Sequence, residues 1–104
     1  MILYDWQTKM GELVEIYEKT GDHTRANTFS EAVQQIVNHA EQFDISVKTA
    51  KDVEKFKGLE GVGRSTLELF REFVMTGEMK RLRDLDTAIK RQNSYEGNDV
   101  QKLG

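Results

Sequence analysis

The chain has 104 residues, no cysteine, no proline and a formal net charge of −3 at pH 7. This length suits one domain, the lack of cysteine excludes disulfides and thiolate metal sites, and no apolar run reaches the roughly 20 residues of a membrane span. The charge is unevenly placed: residues 1–44 hold 3 Lys or Arg against 8 Asp or Glu, whereas residues 45–91 hold 11 against 8. A polyanionic partner is therefore expected to meet the second half of the chain, and no membrane partner is expected.

Apolar residues recur at helical spacing along most of the chain, and no β-alternation is present. The sequence thus predicts an all-α fold, a compact bundle of four to five helices. In chain order these are residues 2–19 with Gly21 as C-cap, a helix from Asp22 or Thr24 to about Gln42, one opening at Ser46 or Thr49, one from the glycine-rich turn to Thr76, and a short one with Leu82, Leu85 and Ile89. Residues 1–91 are predicted as one domain, and the polar residues 92–104 as a tail or the start of a linker.

The stretch GLEGVG, residues 58–63, places three glycines directly before an amphipathic helix. A joint between two core helices ordinarily needs one glycine, so three indicate that the backbone approaches a ligand closely. Gly61 and Gly63 can adopt left-handed dihedrals, and Val62 can pack the turn onto its helices. The free N–H groups of the next helix point to the same place. This helix–hairpin–helix pattern predicts a phosphate site at Gly61, Val62, Gly63, Arg64 and Ser65 that does not depend on base sequence.

Three segments, ELVEIYEKTGDHTRANTFSEAV, IVNHAEQF and KGLEGVGRSTLELFREFVMTGEMKRL, together resemble the N-terminal helix–hairpin–helix domain of the family X DNA polymerases. That family includes polymerase beta, polymerase lambda and terminal transferase, and the resemblance covers roughly residues 10–85. It implies that the domain holds the 5′-phosphate side of a DNA gap in repair or replication, alongside a polymerase domain in a longer chain. It also implies that Arg25 and Lys57 contact phosphate, and that Phe29 lies at the edge of the phosphate pocket. A Na⁺ or K⁺ ion would lie on the main-chain carbonyls of Lys57, Leu59 and Val62.

One position departs from the family in a way that bears on catalysis. Polymerases beta and lambda use a lysine in the helix after the hairpin as the Schiff-base nucleophile of a 5′-deoxyribose-phosphate lyase, and the aligned position here is Leu69. Arginine cannot replace that amine, because it stays protonated. Ser65 and the Ser30-Glu31 pair also stand where the family is often basic. The sequence therefore resembles the members without lyase activity, and no catalytic residue is predicted.

Two other functions stay open on the sequence. Junction nucleases carry a similar N-terminal domain. A protein-interaction or structural module in a nucleoprotein or viral assembly is the second, indicated by the acidic first helix and by Leu69, which is expected about 100° from the centre of the apolar stripe of its helix. The location expected in each case is intracellular, whether nuclear, nucleoid or viral.

The sequence also suggests roles for three further groups of charged or polar residues. Lys48, Lys51 and Lys55 are predicted to share one face of the third helix, where like charges favour a polyanion. The basic cluster Lys80, Arg81 and Arg83 is interpreted as the solvated start of the fifth helix. His23 and His39 lack the carboxylate spacing of a metal site and are interpreted as polar residues at helix ends.

Overall fold

The chain folds into four α-helices and one 3₁₀ helix, with no β-strand among residues 2–103. The computed structural model describes the backbone of residues 2–103 and the side chains of residues 2–91. In chain order the elements are α1 (Ile2–Lys19), α2 (His23–Gln42), the 3₁₀ helix (Ala50–Phe56), α3 (Arg64–Thr76) and α4 (Lys80–Leu103). The predicted all-α class with four to five helices is confirmed.

A tight turn joins α1 to α2 as an antiparallel pair. Gly21 has a φ of 87°, a left-handed value that glycine adopts without strain, and it ends α1 as predicted. The Asp22 carboxylate then caps α2 by accepting a hydrogen bond from the backbone N–H of Arg25 at 3.2 Å. These two residues set the angle at which the end of α1 meets the beginning of α2.

The core lies between α1, α2, the 3₁₀ helix and α3. Trp6 is fully buried, and its ring stacks on that of Phe70 with centroids 4.0 Å apart and planes 12° from parallel. Phe56 brings the 3₁₀ helix into the same cluster, 5.8 Å from Phe70. Burial of each such side chain stabilises the fold by roughly 1.5–3 kcal/mol. The remaining fully buried large side chains are Leu3, Met10, Leu13, Ile36 and Val53.

The third helix differs from the prediction because it is a 3₁₀ helix that begins only at Ala50. Lys48 precedes it, and a 3₁₀ helix repeats every 3.0 residues rather than every 3.6. The spacing of three and four therefore does not place Lys48, Lys51 and Lys55 on one helical face, and the predicted row of lysines was wrong. Lys55 instead pairs with Asp52 at 3.3 Å.

Thr49 and Asp52 fix the start of the 3₁₀ helix through a capping box, which confirms Thr49 as one of the two predicted caps. The Asp52 carboxylate accepts hydrogen bonds from the backbone N–H groups of Lys48 at 2.8 Å and Thr49 at 3.0 Å. Because these bonds favour the ionised form, they lower the pKa of Asp52 to about 2, with a smaller contribution from Lys55.

Leu69 is buried, at 5% exposure, and this corrects its predicted place at the flank of α3. The prediction centred the apolar stripe on Leu67, which is only half-buried. The face that packs on the core is formed by Thr66, Leu69, Phe70 and Phe73. The large rings of Phe70 and Phe73 determine which side of α3 turns inward, so Leu69 is unavailable to another chain.

The last helix, α4, is longer than the short fifth helix that was predicted. Leu82 is buried, and Leu85 and Ile89 are partly buried against the core, as the apolar spacing indicated. The backbone of α4 continues to Leu103, through most of the segment expected to be a tail; the boundary near residue 92 stays a prediction. In the described part of the chain, no helix combines the length and apolar content needed to cross a membrane.

Candidate nucleic-acid interface

An open groove of about 960 Å³ lies where the beginnings of three helices come together. The first residues of α2, α3 and α4 form its walls, and Tyr17 of α1 adds to them. Four cationic side chains line it, with two carboxylates. They are Arg25, Arg64, Lys80 and Arg81, and Asp22 and Asp84. We call this feature the basic groove.

The beginning of α3 is the one helix N-terminus in the basic groove that no described side chain caps. Its N-cap residue, Gly63, has no side chain to accept a hydrogen bond. By contrast, Asp22 caps α2, and the backbone N–H of Lys80 at the start of α4 donates to the Glu72 carboxylate at 2.9 Å. The N–H groups of the first turn of α3 therefore stay open to an anion, at the positive end of the helix dipole.

The cations of the basic groove are only weakly neutralised. Arg25 lies 3.6 Å from Asp22, and both side chains are solvent-exposed, an arrangement that contributes little. Among residues 2–91, no carboxylate forms an ion pair with the side chains of Arg64, Lys80 or Arg81. These charges are therefore available to a ligand.

Two buried aromatic rings lie beneath two of the arginines. The rings of Tyr17 and Phe29 stack with centroids 5.9 Å apart and planes 15° from parallel. The guanidinium carbon of Arg25 lies 5.4 Å from the centre of the Tyr17 ring. That of Arg81 lies 5.7 Å from the centre of the Phe29 ring. Phe29, which the resemblance placed at the edge of a phosphate pocket, thus lines the basic groove.

The structure brings together only part of the set of residues predicted to bind phosphate. Arg25, Gly63, Arg64 and Ser65 all line the basic groove, although Arg25 is distant from the others in sequence. Lys57, Gly61 and Val62 lie outside its lining. Any contact they make with DNA would belong to a neighbouring surface on the turn.

The glycine-rich turn has left-handed residues at Gly58 and Gly61, with φ of 88° and 83°. Gly63 does not adopt the left-handed conformation considered for it, because its φ of −99° and ψ of 177° are extended. A Cβ built on Gly63 would meet no atom within 4 Å. Glycine there leaves open space in front of the N-terminus of α3.

The carbonyl oxygens expected to hold a monovalent cation lie in the same turn. The carbonyl of Leu59 accepts the N–H of Val62 at 3.1 Å, which leaves it one more lone pair. The residues fit a Na⁺ or K⁺ ion to that extent, and the site with Lys57, Leu59 and Val62 stays a prediction. Among the described residues, no group of three His, Asp or Glu side chains could hold a metal ion.

The two histidines lie at the ends of α2, as interpreted from the sequence. His23 is its first residue and His39 lies in its last turn. The Nδ1 atom of His23 is 2.8 Å from a carboxylate oxygen of Glu18.

Sequence reasoning missed Lys80 and Arg81 as residues of the site. Both line the basic groove, whereas Arg83 lies outside it and pairs with Glu78 at 3.2 Å. A signal was present, because a helix N-terminus favours acidic residues and two cations in the first turn oppose the helix dipole. Such a pair indicates that an anion is expected nearby.

No protein-family model, curated protein or solved structure matches the chain. The likeness to family X polymerases therefore rests on the motifs and the aligned residues alone.

Proposed function

We propose that the chain is a DNA-binding module that holds the backbone or a 5′-terminal phosphate of gapped or duplex DNA in the basic groove. The observation that carries the proposal is the convergence of four cations and one open helix N-terminus in a protein whose net charge is −3. A positive groove on an acidic protein concentrates a polyanion at that place. The resemblance to family X domains, which hold the 5′-phosphate side of a gap, supports the same ligand.

The chemistry of the basic groove suits phosphate. Guanidinium, ammonium and backbone N–H groups only donate hydrogen bonds, and phosphate oxygens only accept them. The two carboxylates leave an excess of two positive charges in the lining, enough for one or two phosphate groups. Such contacts position a duplex without reading its bases.

The glycine-rich turn forms a second part of the proposed interface. On the family pattern, Gly61, Val62 and Lys57 contact a neighbouring backbone phosphate, and a monovalent cation on the turn carbonyls assists. The positive φ of Gly61 and the exposure of Lys57 are compatible with that role. Because these residues lie outside the basic groove, they would hold a different phosphate from the one in the groove.

The proposed module has no lyase activity. The aligned nucleophile position, Leu69, is buried and has no amine. Lys80 is the lysine that lines the basic groove, but it is solvent-exposed, whereas an imine-forming lysine is ordinarily desolvated. We expect borohydride treatment with an incised abasic duplex to trap no more adduct than a generic basic protein does. A strong adduct that either Lys80→Ala or Lys57→Ala alone removes would make the chain an enzyme.

A salt-dependent DNA titration tests the proposal. Anisotropy is measured with 5′-phosphorylated gapped, unphosphorylated gapped, nicked and blunt duplexes of equal length. We expect dissociation constants below about 100 µM at low salt, and a log–log salt slope of about −0.9 for each phosphate held. An Arg25→Ala/Arg81→Ala double variant should lower the affinity for DNA and make the salt dependence less steep. Lys9→Ala/Lys19→Ala on α1, which removes the same charge, is the matched control. The absence of binding to every duplex at low salt would contradict the proposal.

The wider setting follows from the ligand. A module of this kind would act in DNA repair or replication inside a cell, in a nucleus, a nucleoid or a viral assembly, beside a polymerase domain. The alternative function, a protein-interaction module, was indicated by the acidic α1 and by Leu69. Because Leu69 is buried, only the acidic α1 still supports that alternative. Light scattering beside the titration separates the two, since stable self-association without DNA binding would favour that alternative.

A further inference from the structure

Two arginines and two aromatic rings form a series of pairwise contacts, here called the stack, in the basic groove. The order is Arg25, Tyr17, Phe29 and Arg81, with successive distances of 5.4, 5.9 and 5.7 Å. Each guanidinium lies within the roughly 6 Å at which a cation is attracted to a ring face. The stack joins residues of α1, α2 and α4.

The rings are the buried members of this stack, and the arginines are its exposed members. Tyr17 is 6% exposed, Phe29 is 4% exposed, and both belong to the hydrophobic core. Arg25 and Arg81 are exposed. A free arginine side chain loses considerable rotamer entropy when a ligand orders it. Resting it on an immobile ring restricts it before the ligand arrives, so less is lost on binding.

A ring restrains an arginine differently from a carboxylate. An ion pair neutralises the charge and occupies the N–H donors, whereas a ring face contacts the flat side of the guanidinium and leaves its in-plane donors free. Arg81 has no ion pair in the described part of the chain, and Arg25 has only the 3.6 Å contact with Asp22. Stacking therefore orders both side chains and preserves the positive charge that phosphate requires.

We propose that Tyr17 and Phe29 are positioning residues that hold the Arg25 and Arg81 guanidinium groups oriented for phosphate. The inference rests on the proposed function and deepens it: the basic groove is preorganised for bidentate contact with phosphate oxygens. It follows that lysine cannot replace Arg81 at equal affinity, because an ammonium group has no flat face to stack and no fork of donors.

A double-variant cycle on DNA affinity tests the coupling between Phe29 and Arg81. Phe29→Leu keeps an apolar side chain but removes the ring face, and Arg81→Lys keeps the charge. We expect Arg81→Lys to weaken DNA binding more in the wild-type background than in the Phe29→Leu background. The ratio of the two losses should be about two to five. Phe29→Leu alone should weaken binding and leave the salt slope unchanged, since no phosphate contact is lost.

Arg64→Lys is the matched control, because Arg64 lines the same groove but rests on neither ring. Arg64→Lys should weaken DNA binding by the same factor in the wild-type and Phe29→Leu backgrounds. Phe29→Tyr restores a ring and should restore the wild-type affinity and the coupling. Thermal melts monitored by circular dichroism check that each variant is folded at the assay temperature. Phe29→Met, which also keeps an apolar side chain without a ring face, takes the place of Phe29→Leu if that variant is not folded.

A second readout does not use DNA. In the free protein, ring currents should shift the side-chain Nε–Hε resonances of Arg25 and Arg81 upfield, and Phe29→Leu should remove that shift for Arg81 only. Equal Arg81→Lys factors in both backgrounds, with wild-type DNA binding intact, would overturn the positioning role and leave the proposed function standing. A wild-type chain that binds no DNA would overturn both.

Discussion

Two tyrosines on α1 lie toward opposite ends of the molecule, where the neighbouring charges have opposite sign. Tyr17 is buried, and its ring supports Arg25 in the basic groove. Tyr4, thirteen residues earlier and so about 20 Å along the helix, is 42% exposed. Its hydroxyl donates to the Glu41 carboxylate at 3.0 Å. The same residue type supports a cation at one end and donates to an anion at the other, so packing rather than residue type decides which charge lies beside each ring.

The end of the molecule that carries Tyr4, Glu41 and Phe43 differs from the basic groove in the charges it presents. Phe43 is 59% exposed, and the carboxylate of Glu41 would repel phosphate. The basic groove, at the other end of α1 and α2, has four cations and an open helix N-terminus. This difference in charge supports the proposed binding of DNA at the basic groove rather than at the Tyr4 end.

The largest expected effect is the difference in DNA affinity between charge-reversal variants at the two ends of the molecule. Arg81→Glu removes a charged phosphate contact worth about 1.5–3 kcal/mol, so we expect roughly 10- to 100-fold weaker DNA binding and a smaller salt slope. Glu41→Lys, of equal and opposite charge change, should alter the affinity less than about twofold, because the site lies beyond a Debye length at 0.1 M salt. Anisotropy titrations at matched salt measure both. Similar effects from the two variants would abolish the proposed distinction between the ends.

Capping α3 should separate stability from DNA affinity. Gly63→Ser supplies a hydroxyl that can accept an N–H of the first turn, and we expect the free energy of unfolding to rise by roughly 0.3–1 kcal/mol. DNA binding should weaken several-fold, because the same N–H groups are proposed to bind phosphate. Urea titrations and anisotropy measure the two quantities.

The control for this variant is Gly11→Ala, at an exposed position in the middle of α1. No atom lies within 4 Å of a Cβ built there, and removal of a helix-interior glycine should stabilise the protein by about 1 kcal/mol without loss of DNA affinity. If Gly63→Ser bound DNA as tightly as this control, the open N-terminus of α3 would not be part of the site.

Asp52 offers a smaller, pH-dependent effect on the helix that leads into the glycine-rich turn. Its pKa is lowered from 3.8 to about 2 by the backbone N–H groups of Lys48 and Thr49, so the ionised form stabilises the folded state. That contribution is complete above about pH 4 and is lost as the pH falls through about 2. Asp52→Ala should melt at a lower temperature than the wild type at pH 7, and the two should converge near pH 2. A constant difference across this range would show that the carboxylate charge is not responsible.

The smallest effect is expected at Tyr4. The hydrogen bond to Glu41, then desolvation and the Glu41 charge, raise the pKa of the Tyr4 hydroxyl above 10.0. Its stabilising contribution is therefore present below pH 10 and is lost as the pH rises through the raised value. In Glu41→Ala the titration of the Tyr4 ring, followed by carbon NMR, should move toward 10, with DNA affinity unchanged at pH 7. An unmoved midpoint would mean that the contact is absent in solution.

The local features of the fold could be predicted from the sequence, and the tertiary ones could not. Gly21, Thr49 and the apolar spacing of α1 and α2 each act over a few residues, so the caps and helices they predicted are present. The burial of Leu69 depends on how Phe70 and Phe73 turn α3 toward the core, which no local pattern contains, and the apolar spacing gave no sign of the 3₁₀ geometry.

The same division applies to the candidate site. The motif GVG indicated the N-terminus of α3 and its free N–H groups, because a hairpin motif is local. The presence of Arg25 and Arg81 in one groove, with the Tyr17 and Phe29 rings, depends on how α2 and α4 pack against α1 and could not be predicted.

The most direct test of DNA binding in the basic groove is an NMR titration of the ¹⁵N-labelled chain with a 5′-phosphorylated gapped duplex. We expect the largest amide shift changes at the starts of α2, α3 and α4, in residues 24–29, 63–66 and 80–85, and small changes at Tyr4, Glu41 and Phe43. Changes concentrated at the Tyr4 end, or none at all at low salt, would contradict the account.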